Sequence, residues 1–255
     1  MQFSRITCYV REGSAKRNMI FTSEPQNWRE LQSYVGQMFQ ECGFETEISK
    51  VVDLVRGKKE IDVYAHDTTS EYQPIILVEC KFWNKAVDQE TVHSFRTVVT
   101  DCGANIGFIV SKSGFQSGCY EAAERTNVRL VLLQELEREY YKKWKRAMVS
   151  KYMPFADRLF PYWDPVGGKM PPDGGTIDWA TQQLVYAAYK PICGLGPRDS
   201  MMDGFSRQYP MKLPVLNDAL AVMGEATILS DRDYFDFVEQ NKDKALRHFR
   251  ILYRE

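Results

Sequence analysis

The chain lacks the features that mark several large protein classes. No apolar run is long enough to span a membrane, and the first residues do not follow the pattern of a secretory signal peptide. We find no glycine-rich phosphate loop, no zincin helix, no nucleophile elbow and no internal repeat. These absences leave an ordinary globular protein, which we expect to be cytoplasmic.

Net charge is also nearly absent. The 255 residues carry 33 Lys and Arg against 34 Asp and Glu, a formal charge of −1. No global field therefore attracts a nucleic acid, and any surface of that kind has to be local. The six cysteines include no Cys-x-x-Cys pair, and several lie in apolar stripes. We expect buried free thiols rather than disulfides or a zinc site.

The most informative stretch of the chain is 61–81. Asp62 lies between two aliphatic residues, and Glu79 and Lys81 follow four consecutive aliphatic residues. Alternate side chains of a strand share a face, so Glu79 and Lys81 are expected side by side. If the two segments pair as a hairpin, Asp62 joins them at one end of a sheet.

Two carboxylates and an ammonium group at one place are suited to phosphodiester hydrolysis. Carboxylate oxygens are hard ligands for Mg²⁺, with Mn²⁺ as an alternative, and Asp62 and Glu79 are the candidate metal ligands. A bound metal lowers the pKa of water and screens the attacked phosphate. Lys81 can orient the water or stabilise the transition state.

A second interpretation of this stretch is a solvated surface, because acids at strand ends are common and short motifs often mislead. A buried strand, however, usually ends in turn residues. Here acid and base alternate directly after four aliphatic residues. That context favours the catalytic interpretation.

The order of the flanking elements predicts an α/β fold with a mixed sheet. Helical spacing, caps and apolar runs indicate a helix from about residue 27 to 42, strands at 44–54, 60–65 and 75–81, a helix at 88–102, a strand at 106–110, a helix at 119–126 and a strand at 128–133. Strand-helix-strand connections require parallel neighbours, whereas the hairpin is antiparallel. A turn is expected at 56–59.

Polar residues on the two main helices are further candidates. Gln32 and Glu30 flank the buried stripe of the first helix, and either could lean toward the acids. Gln89, His93 and Arg96 form a polar stripe on the second helix. Such a stripe is usually a solvated face. The functional alternative is that one of these three side chains contacts the scissile phosphate.

Residues from about 27 to 134 resemble the Mrr-like branch of the PD-(D/E)XK nucleases, which have a restriction-endonuclease-like αβββαβ core. The resemblance assigns Asp62 and Glu79 to the two metal-binding acids and Lys81 to the lysine of the Glu-x-Lys half-motif. Relatives often carry Glu at the first-helix position held here by Gln32, so a third carboxylate is absent unless Glu30 replaces it. The resemblance implies a Mg²⁺-dependent endonuclease on DNA, in restriction or anti-phage defence.

The rest of the chain resembles no family that we can name. We expect an N-terminal arm or hairpin at 1–22, a nuclease domain at 23–134 and a mostly helical region at 135–255 that binds substrate or partner. That region opens with a helix rich in basic and aromatic residues. These side chains either bind a phosphate backbone or pack inward. The region continues with loops at 160–176 and 191–214, a helix that is capped by Asp178 and buries Trp179, a short helix at 218–223 and a final helix capped by Ser230.

Three functions stay open on the sequence alone. The first is a DNA endonuclease with Asp62, Glu79, Lys81, Gln32 and Gln89 as candidate catalytic residues. The second is a catalytically silent, nuclease-like scaffold that acts as a binding or assembly subunit. The third keeps the catalysis on RNA or branched DNA. The expected partners are DNA and a regulatory or defence-system protein bound through 135–255, with no membrane and with oligomerisation left open.

Overall fold

The computed structural model describes residues 19–55, 57–164, 168–195 and 207–255. These residues divide into two compact units, with the division between Trp144 and Lys145. Most of the expected N-terminal arm or hairpin lies outside the described residues, and residues 19–22 form neither helix nor strand. No described helix is long and apolar enough to cross a bilayer.

The first unit alternates helices and strands in the predicted order. Its elements are α1 (Trp28–Glu41), β1 (Glu45–Leu54), β2 (Gly57–His66), β3 (Ile75–Lys81), α2 (Gln89–Asp101), β4 (Ile106–Ser111), α3 (Ser117–Ala123), β5 (Val128–Leu132) and the first part of α4 (Leu133–Trp163). Helix α4 continues across the division into the second unit. The element types and most boundaries agree with those expected from the sequence.

The strands form one five-stranded sheet in the order β1-β2-β3-β4-β5. The pairs β1-β2 and β2-β3 are antiparallel, whereas β3-β4 and β4-β5 are parallel. The predicted α/β fold class with a mixed sheet is therefore confirmed. Because β3 and β4 run in parallel, their carboxyl ends meet at one edge, where Lys81 pairs with Ser111.

Side-chain caps explain where the two main helices begin. Asn27 accepts a hydrogen bond from the Glu30 backbone N–H at 2.9 Å, and Asp88 accepts one from Thr91 N–H at 2.9 Å. Each cap satisfies a backbone donor that the first turn of a helix leaves without a partner. Helix α2 therefore begins directly after the loop that follows β3, next to the carboxyl end of that strand.

Helix α2 packs tightly on the parallel part of the sheet. Its buried Phe95 and Val99 belong to a core cluster with Leu77 and Ile109. Gly107 on β4 makes this approach feasible, because a Cβ atom there would lie 2.5 Å from Val99 Cγ2 and 2.9 Å from Phe95 Cε1. The small residue lets the helix lie close to β4.

The β1-β2 hairpin is longer than expected. The predicted turn at 56–59 is wrong, because Lys58 and Lys59 pair with β1 and the ladder continues to Leu54 opposite Gly57. Gly57 has φ +119°, a conformation that glycine adopts without a steric penalty. The chain therefore reverses about two residues earlier than its Gly-Lys-Lys composition suggests.

The second unit contains the rest of α4, α5 (Trp179–Cys193), β6 (Met211–Leu216), β7 (Val222–Ile228) and α6 (Asp231–Tyr253). The expected caps Asp178 and Ser230 are confirmed, since they accept bonds from Thr181 and Asp233 N–H. The region is mostly helical, as predicted, with one antiparallel hairpin of β6 and β7.

Three details of the second unit correct the sequence-based expectations. The helix expected at 218–223 is a turn entering β7, because Asn217 Oδ1 accepts bonds from Ala219 and Ala221 N–H in place of helical bonds. The loop expected from residue 160 begins later, because α4 extends to Trp163 and the buried side chain of Tyr162 stabilises its last turn. Trp179, expected in the core, is 69% exposed on the first turn of α5.

The cysteines are free thiols throughout the described part of the chain. They are Cys42, Cys80, Cys102, Cys119 and Cys193, and all but Cys102 are buried. Burial raises the pKa of Cys42 to about 12, so this thiol stays protonated. The prediction of buried free thiols is confirmed for Cys42, Cys80, Cys119 and Cys193, whereas Cys102 is free but only partly buried. Cys8 lies outside the described residues.

Candidate active site

The candidate site lies at the point where the pairing of β2 with β3 ends. The ladder between these strands ends with Val63 opposite Val78, and Asp62 and Glu79 are the next residues beyond that pair. Beyond it, the backbone N–H of Cys80 donates to Asp62 Oδ2 at 2.6 Å. The Asp62 carboxylate thus connects the two strands beyond their last paired residues.

The other oxygen of Asp62 is held by helix α1. Gln32 Nε2 donates to Asp62 Oδ1 at 2.9 Å, and the Gln32 side chain is buried. Each carboxylate oxygen therefore accepts one hydrogen bond, from the sheet on one side and from the helix on the other. Two such bonds define the orientation of the carboxylate.

Glu79 and Lys81 lie side by side at the end of β3, as strand alternation predicts. Lys81 Nζ lies 2.5 Å from Glu79 Oε1. The two side chains are only 16% and 13% exposed for Lys81 and Glu79. Lys81 also lies 5.1 Å from the centroid of the Trp83 ring. The pair is therefore partly shielded from water, which strengthens its interaction.

Burial and charge act together on Asp62. Burial raises its pKa, and the negative charge of Glu79 adds to the rise, while the Cys80 N–H, Gln32 and Lys81 oppose it. Burial and the two carboxylates also raise the pKa of Cys80 well above its usual value. The Cys80 thiol is therefore protonated.

Comparison with known proteins agrees with this geometry. Residues 24–139 match the Mrr_cat family, described as restriction endonuclease. This segment, which we call the Mrr-like domain, is similar to restriction endonucleases of that family. No curated protein matches the chain.

One solved structure that resembles the chain is entitled "Crystal Structure of Protein of Unknown Function AF1548". The two share 22% identity with a TM-score of 0.36, over 41% of this chain and 57% of that one. The chain thus spans little more than half of that protein.

The residues of the Mrr-like domain fit a hard divalent cation. In the described part of the chain no group of three or more His, Cys, Asp or Glu side chains could hold a metal. Asp62 and Glu79 supply two carboxylates, and burial, with a smaller contribution from the charge of Glu79, raises the pKa of Asp62. A bound cation would favour the ionised form of this carboxylate. Mg²⁺ commonly binds through one or two carboxylates and keeps several waters. The donor set is therefore of the kind that Mg²⁺ or Mn²⁺ accepts.

Glu30 does not reach the acids of the Mrr-like domain. Its two carboxylate oxygens accept from Gln26 N–H at 2.8 Å and from Asn27 Nδ2 at 2.7 Å. The side chain is thus engaged at the start of α1, in an arrangement related to a capping box. Gln32, two residues further along, is the residue of this helix that contacts Asp62.

The polar stripe of α2 lies against α3 rather than against the acids. Arg96 donates to the Ala122 carbonyl at 2.9 Å, and His93 is exposed. Gln89 is exposed, and its side chain lies beside Gly118, where an added Cβ would be 2.8 Å from Gln89 Oε1. These contacts give Arg96 a structural role, and a catalytic role for Gln89 stays a prediction.

Sequence reasoning missed the loops that follow β3 and β4 in the Mrr-like domain. Lys85 follows β3 and Lys112 follows β4, at the edge of the sheet that also carries Lys81. The predicted parallel pairing of β3 and β4 could have indicated these loops, because the residues that follow the carboxyl ends of neighbouring parallel strands lie close together.

Proposed function

We propose that the chain is a metal-dependent endonuclease that hydrolyses phosphodiester bonds in DNA. The observation that carries this proposal is the close approach of Lys81 to Glu79 beside the buried carboxylate of Asp62, within the segment that matches restriction endonucleases. A protein that only binds has no chemical reason to hold two acids and a lysine together at a cost in electrostatic energy.

Asp62 and Glu79 would hold the metal, which when bound would supply an activated water and screen the charge on the phosphate. Gln32 keeps the Asp62 carboxylate in one orientation. Lys81, held by Glu79 and shielded by Trp83, is placed to donate a hydrogen bond to the attacking water or to a phosphate oxygen whose negative charge grows in the transition state.

The biological setting that we propose is restriction or anti-phage defence in the cytoplasm. In this proposal residues 23–134 are the catalytic part and residues 135–255 bind substrate or a regulatory partner. Within the second unit, several bases of α4 and α6 already have acidic partners, such as Lys145 with Asp231 and Lys242 with Glu239. These pairs favour a packing role for at least part of its basic surface.

The test is cleavage of supercoiled plasmid, modified phage DNA and structured RNA with Mg²⁺, Mn²⁺ or EDTA. We expect metal-dependent cutting of DNA by the wild type and a loss of about 100-fold or more in Lys81→Met, because removing one electrostatic stabiliser of a transition state typically has that effect. Lys58→Met is the matched control, because Lys58 is a 71% exposed lysine of the β1-β2 hairpin.

Equal cutting by the wild type and Lys81→Met would contradict the proposal. Cutting of RNA alone would retain the chemistry and change the substrate. If no substrate is cut, calorimetry with Mn²⁺ on the wild type and Asp62→Asn decides the next step. Absence of metal binding to the wild type would favour the silent scaffold.

A further inference from the structure

The loops after β3 and β4 are joined into one platform, which we define as residues 82–85 and 112–113. The Lys112 backbone N–H donates to the Lys81 carbonyl at 3.0 Å. Ser113 Oγ donates to the Trp83 carbonyl at 2.6 Å. The platform therefore continues directly from the strand that carries Glu79 and Lys81, and hydrogen bonds connect its two halves.

Two lysines of the platform are held by neutral groups. Lys112 Nζ donates to Asn84 Oδ1 at 2.8 Å and lies 4.4 Å from the centroid of the Phe82 ring. Lys85 Nζ lies 5.5 Å from the centroid of the Trp83 ring, the ring that also contacts Lys81. A ring face attracts an ammonium group without cancelling its charge. The three ammonium groups are therefore gathered at one edge of the sheet.

Neither lysine has an acidic partner among the described residues. In residues 19–55, 57–164, 168–195 and 207–255, no carboxylate lies within 4.0 Å of Lys85 or Lys112. Asp88 is near enough that Lys85 and Lys81 help to lower its pKa, but its carboxylate accepts bonds from the Thr91 N–H and hydroxyl. In contrast, Lys58 pairs with Asp53 at 3.2 Å.

An exposed cation with a neutral support is suited to an anionic ligand. The ring and amide contacts already restrict the lysine side chain, so it loses less conformational entropy when a ligand binds. No resident carboxylate has to be displaced. Along a nucleic-acid strand one phosphate follows another for each step of about 3.4 Å of helix rise, so a phosphate engaged at Lys81 has charged neighbours on both sides. Lys85 contacts the same Trp83 ring as Lys81, and the Lys112 backbone is bonded to the Lys81 carbonyl.

We propose that Lys85 and Lys112 bind the backbone phosphates next to the scissile phosphate, on the strand that is cut. The inference rests on the proposed nuclease function and extends it by naming where the substrate backbone is held. Such contacts carry no sequence information, so they determine affinity and the position of the strand rather than the choice of target.

The experiment is equilibrium binding of a fluorescein-labelled DNA duplex in EDTA, where no metal-dependent cutting occurs, across a series of KCl concentrations. We expect Lys85→Gln and Lys112→Gln each to weaken binding about threefold to tenfold. Each should reduce the slope of log Kd against log salt by about 0.9, and the double variant by about twice that, because each lost phosphate contact removes one counterion released on binding.

Three further variants make the result specific. Lys58→Gln removes one charge elsewhere on the surface and should leave the slope unchanged. Lys85→Arg and Lys112→Arg keep the charge and should retain the wild-type slope. Melting temperatures identify any variant that fails to fold, and the Arg variants then report on the site alone.

The outcomes separate this inference from the proposed function. Wild-type cutting with unchanged slopes in both Gln variants would overturn the platform and leave the nuclease intact. Reduced slopes, with no cutting of any substrate and no Mn²⁺ binding to the wild type, would support phosphate binding by the platform and contradict the nuclease. A wild type that binds no duplex would overturn both.

Discussion

Gln32 donates its amide to Asp62 Oδ1 across 2.9 Å and joins helix α1 to the strand that carries the first acid of the site. A carboxylate at position 32 would add a third negative charge beside Asp62 and Glu79. The pKa of Asp62 is already raised by burial and by Glu79, and a third acid would raise it further. Glutamine keeps the orientation of the carboxylate without that repulsion.

Replacing Gln32 by Leu should weaken metal binding most at acidic pH. The Gln32 hydrogen bond lowers the pKa of Asp62, so its loss raises that pKa. Protons then compete with the metal up to a higher pH, and the acidic limb of Mn²⁺ binding moves toward alkaline pH. Calorimetric titration of Mn²⁺ at several pH values measures this shift.

The control for that experiment is Gln40→Leu, at an exposed position of the same helix. It should bind Mn²⁺ as the wild type does at every pH. An unchanged pH profile in Gln32→Leu would show that the amide does not influence the ionisation of Asp62. A loss of affinity equal at all pH values would indicate a displaced carboxylate instead.

Asp62→Asn should stabilise the metal-free protein at neutral pH. Because the folded-state pKa of Asp62 is raised above its ordinary value of 3.8, its ionisation costs stability as the pH rises through and above that range. An asparagine removes the charge, and the Gln32 amide can rotate to accept from it while Cys80 N–H still donates to its oxygen. We expect a melting temperature higher by about 2–4 °C, which corresponds to roughly 1 kcal/mol.

The same variant should lose the stabilisation that Mn²⁺ gives the wild type, because ligands stabilise the state that binds them. Asp53→Asn is the matched control, at a side chain that is 84% exposed. It should melt as the wild type does with and without Mn²⁺. A lower melting temperature for metal-free Asp62→Asn would contradict the electrostatic cost assigned to this carboxylate.

Gly107→Ala should destabilise the first unit by about 2–3 kcal/mol, because the added methyl group overlaps Val99 and Phe95. Denaturant unfolding measures the change. Gly224→Ala is the comparison on β7, where an added Cβ meets no atom within 4 Å. We expect no loss of stability there, and equal losses at both positions would contradict the close packing of α2 on β4.

His248 should make the second unit less stable in mild acid. It is buried, its Nδ1 lies 2.9 Å from the Tyr189 hydroxyl and its Nε2 lies 3.2 Å from Asp218 Oδ1. Burial lowers its pKa, and nearby Lys244 and Arg247 lower it further, whereas Asp218 opposes the shift. The stability of the neutral ring is thus fully present above the ordinary pKa of 6.5 and is lost as the pH falls toward the lowered value.

Thermal unfolding between pH 8 and pH 5 tests this dependence. The wild type should lose a few degrees of melting temperature across that range, on the order of 2–4 °C. In His248→Gln the loss should be smaller, because the titrating group is gone. His93→Gln, at an exposed histidine, should behave as the wild type does. Equal slopes in His248→Gln and the wild type would exclude His248 as the source.

Local sequence patterns were sufficient for the catalytic part of the fold. Alternation along a strand placed Glu79 beside Lys81, and the caps at Asn27 and Asp88 marked the helix starts. Each of these features depends on residues within a few positions of one another, so the local sequence is sufficient to predict it. The convergence of Asp62 on Glu79 required only the assumption that neighbouring strands pair as a hairpin.

The second unit shows where local patterns mislead. Residues 218–223 have helical composition, yet the Asn217 side chain and the pairing of β6 with β7 turn them into a hairpin. Trp179 has the apolar character of a core residue, but its place on the first turn of α5 leaves it exposed. Side-chain hydrogen bonds and strand pairing outweighed intrinsic propensity in these cases.

By itself, the sequence determined the order of elements in the first unit, the mixed sheet and the choice of the acids and lysine as candidates. Only the tertiary structure decided which helix residue holds Asp62, and that the loops carrying Lys85 and Lys112 form one surface. Those contacts join residues about 30 positions apart. Their geometry depends on how the helices pack and on the parallel pairing of β3 with β4, and no local pattern records either.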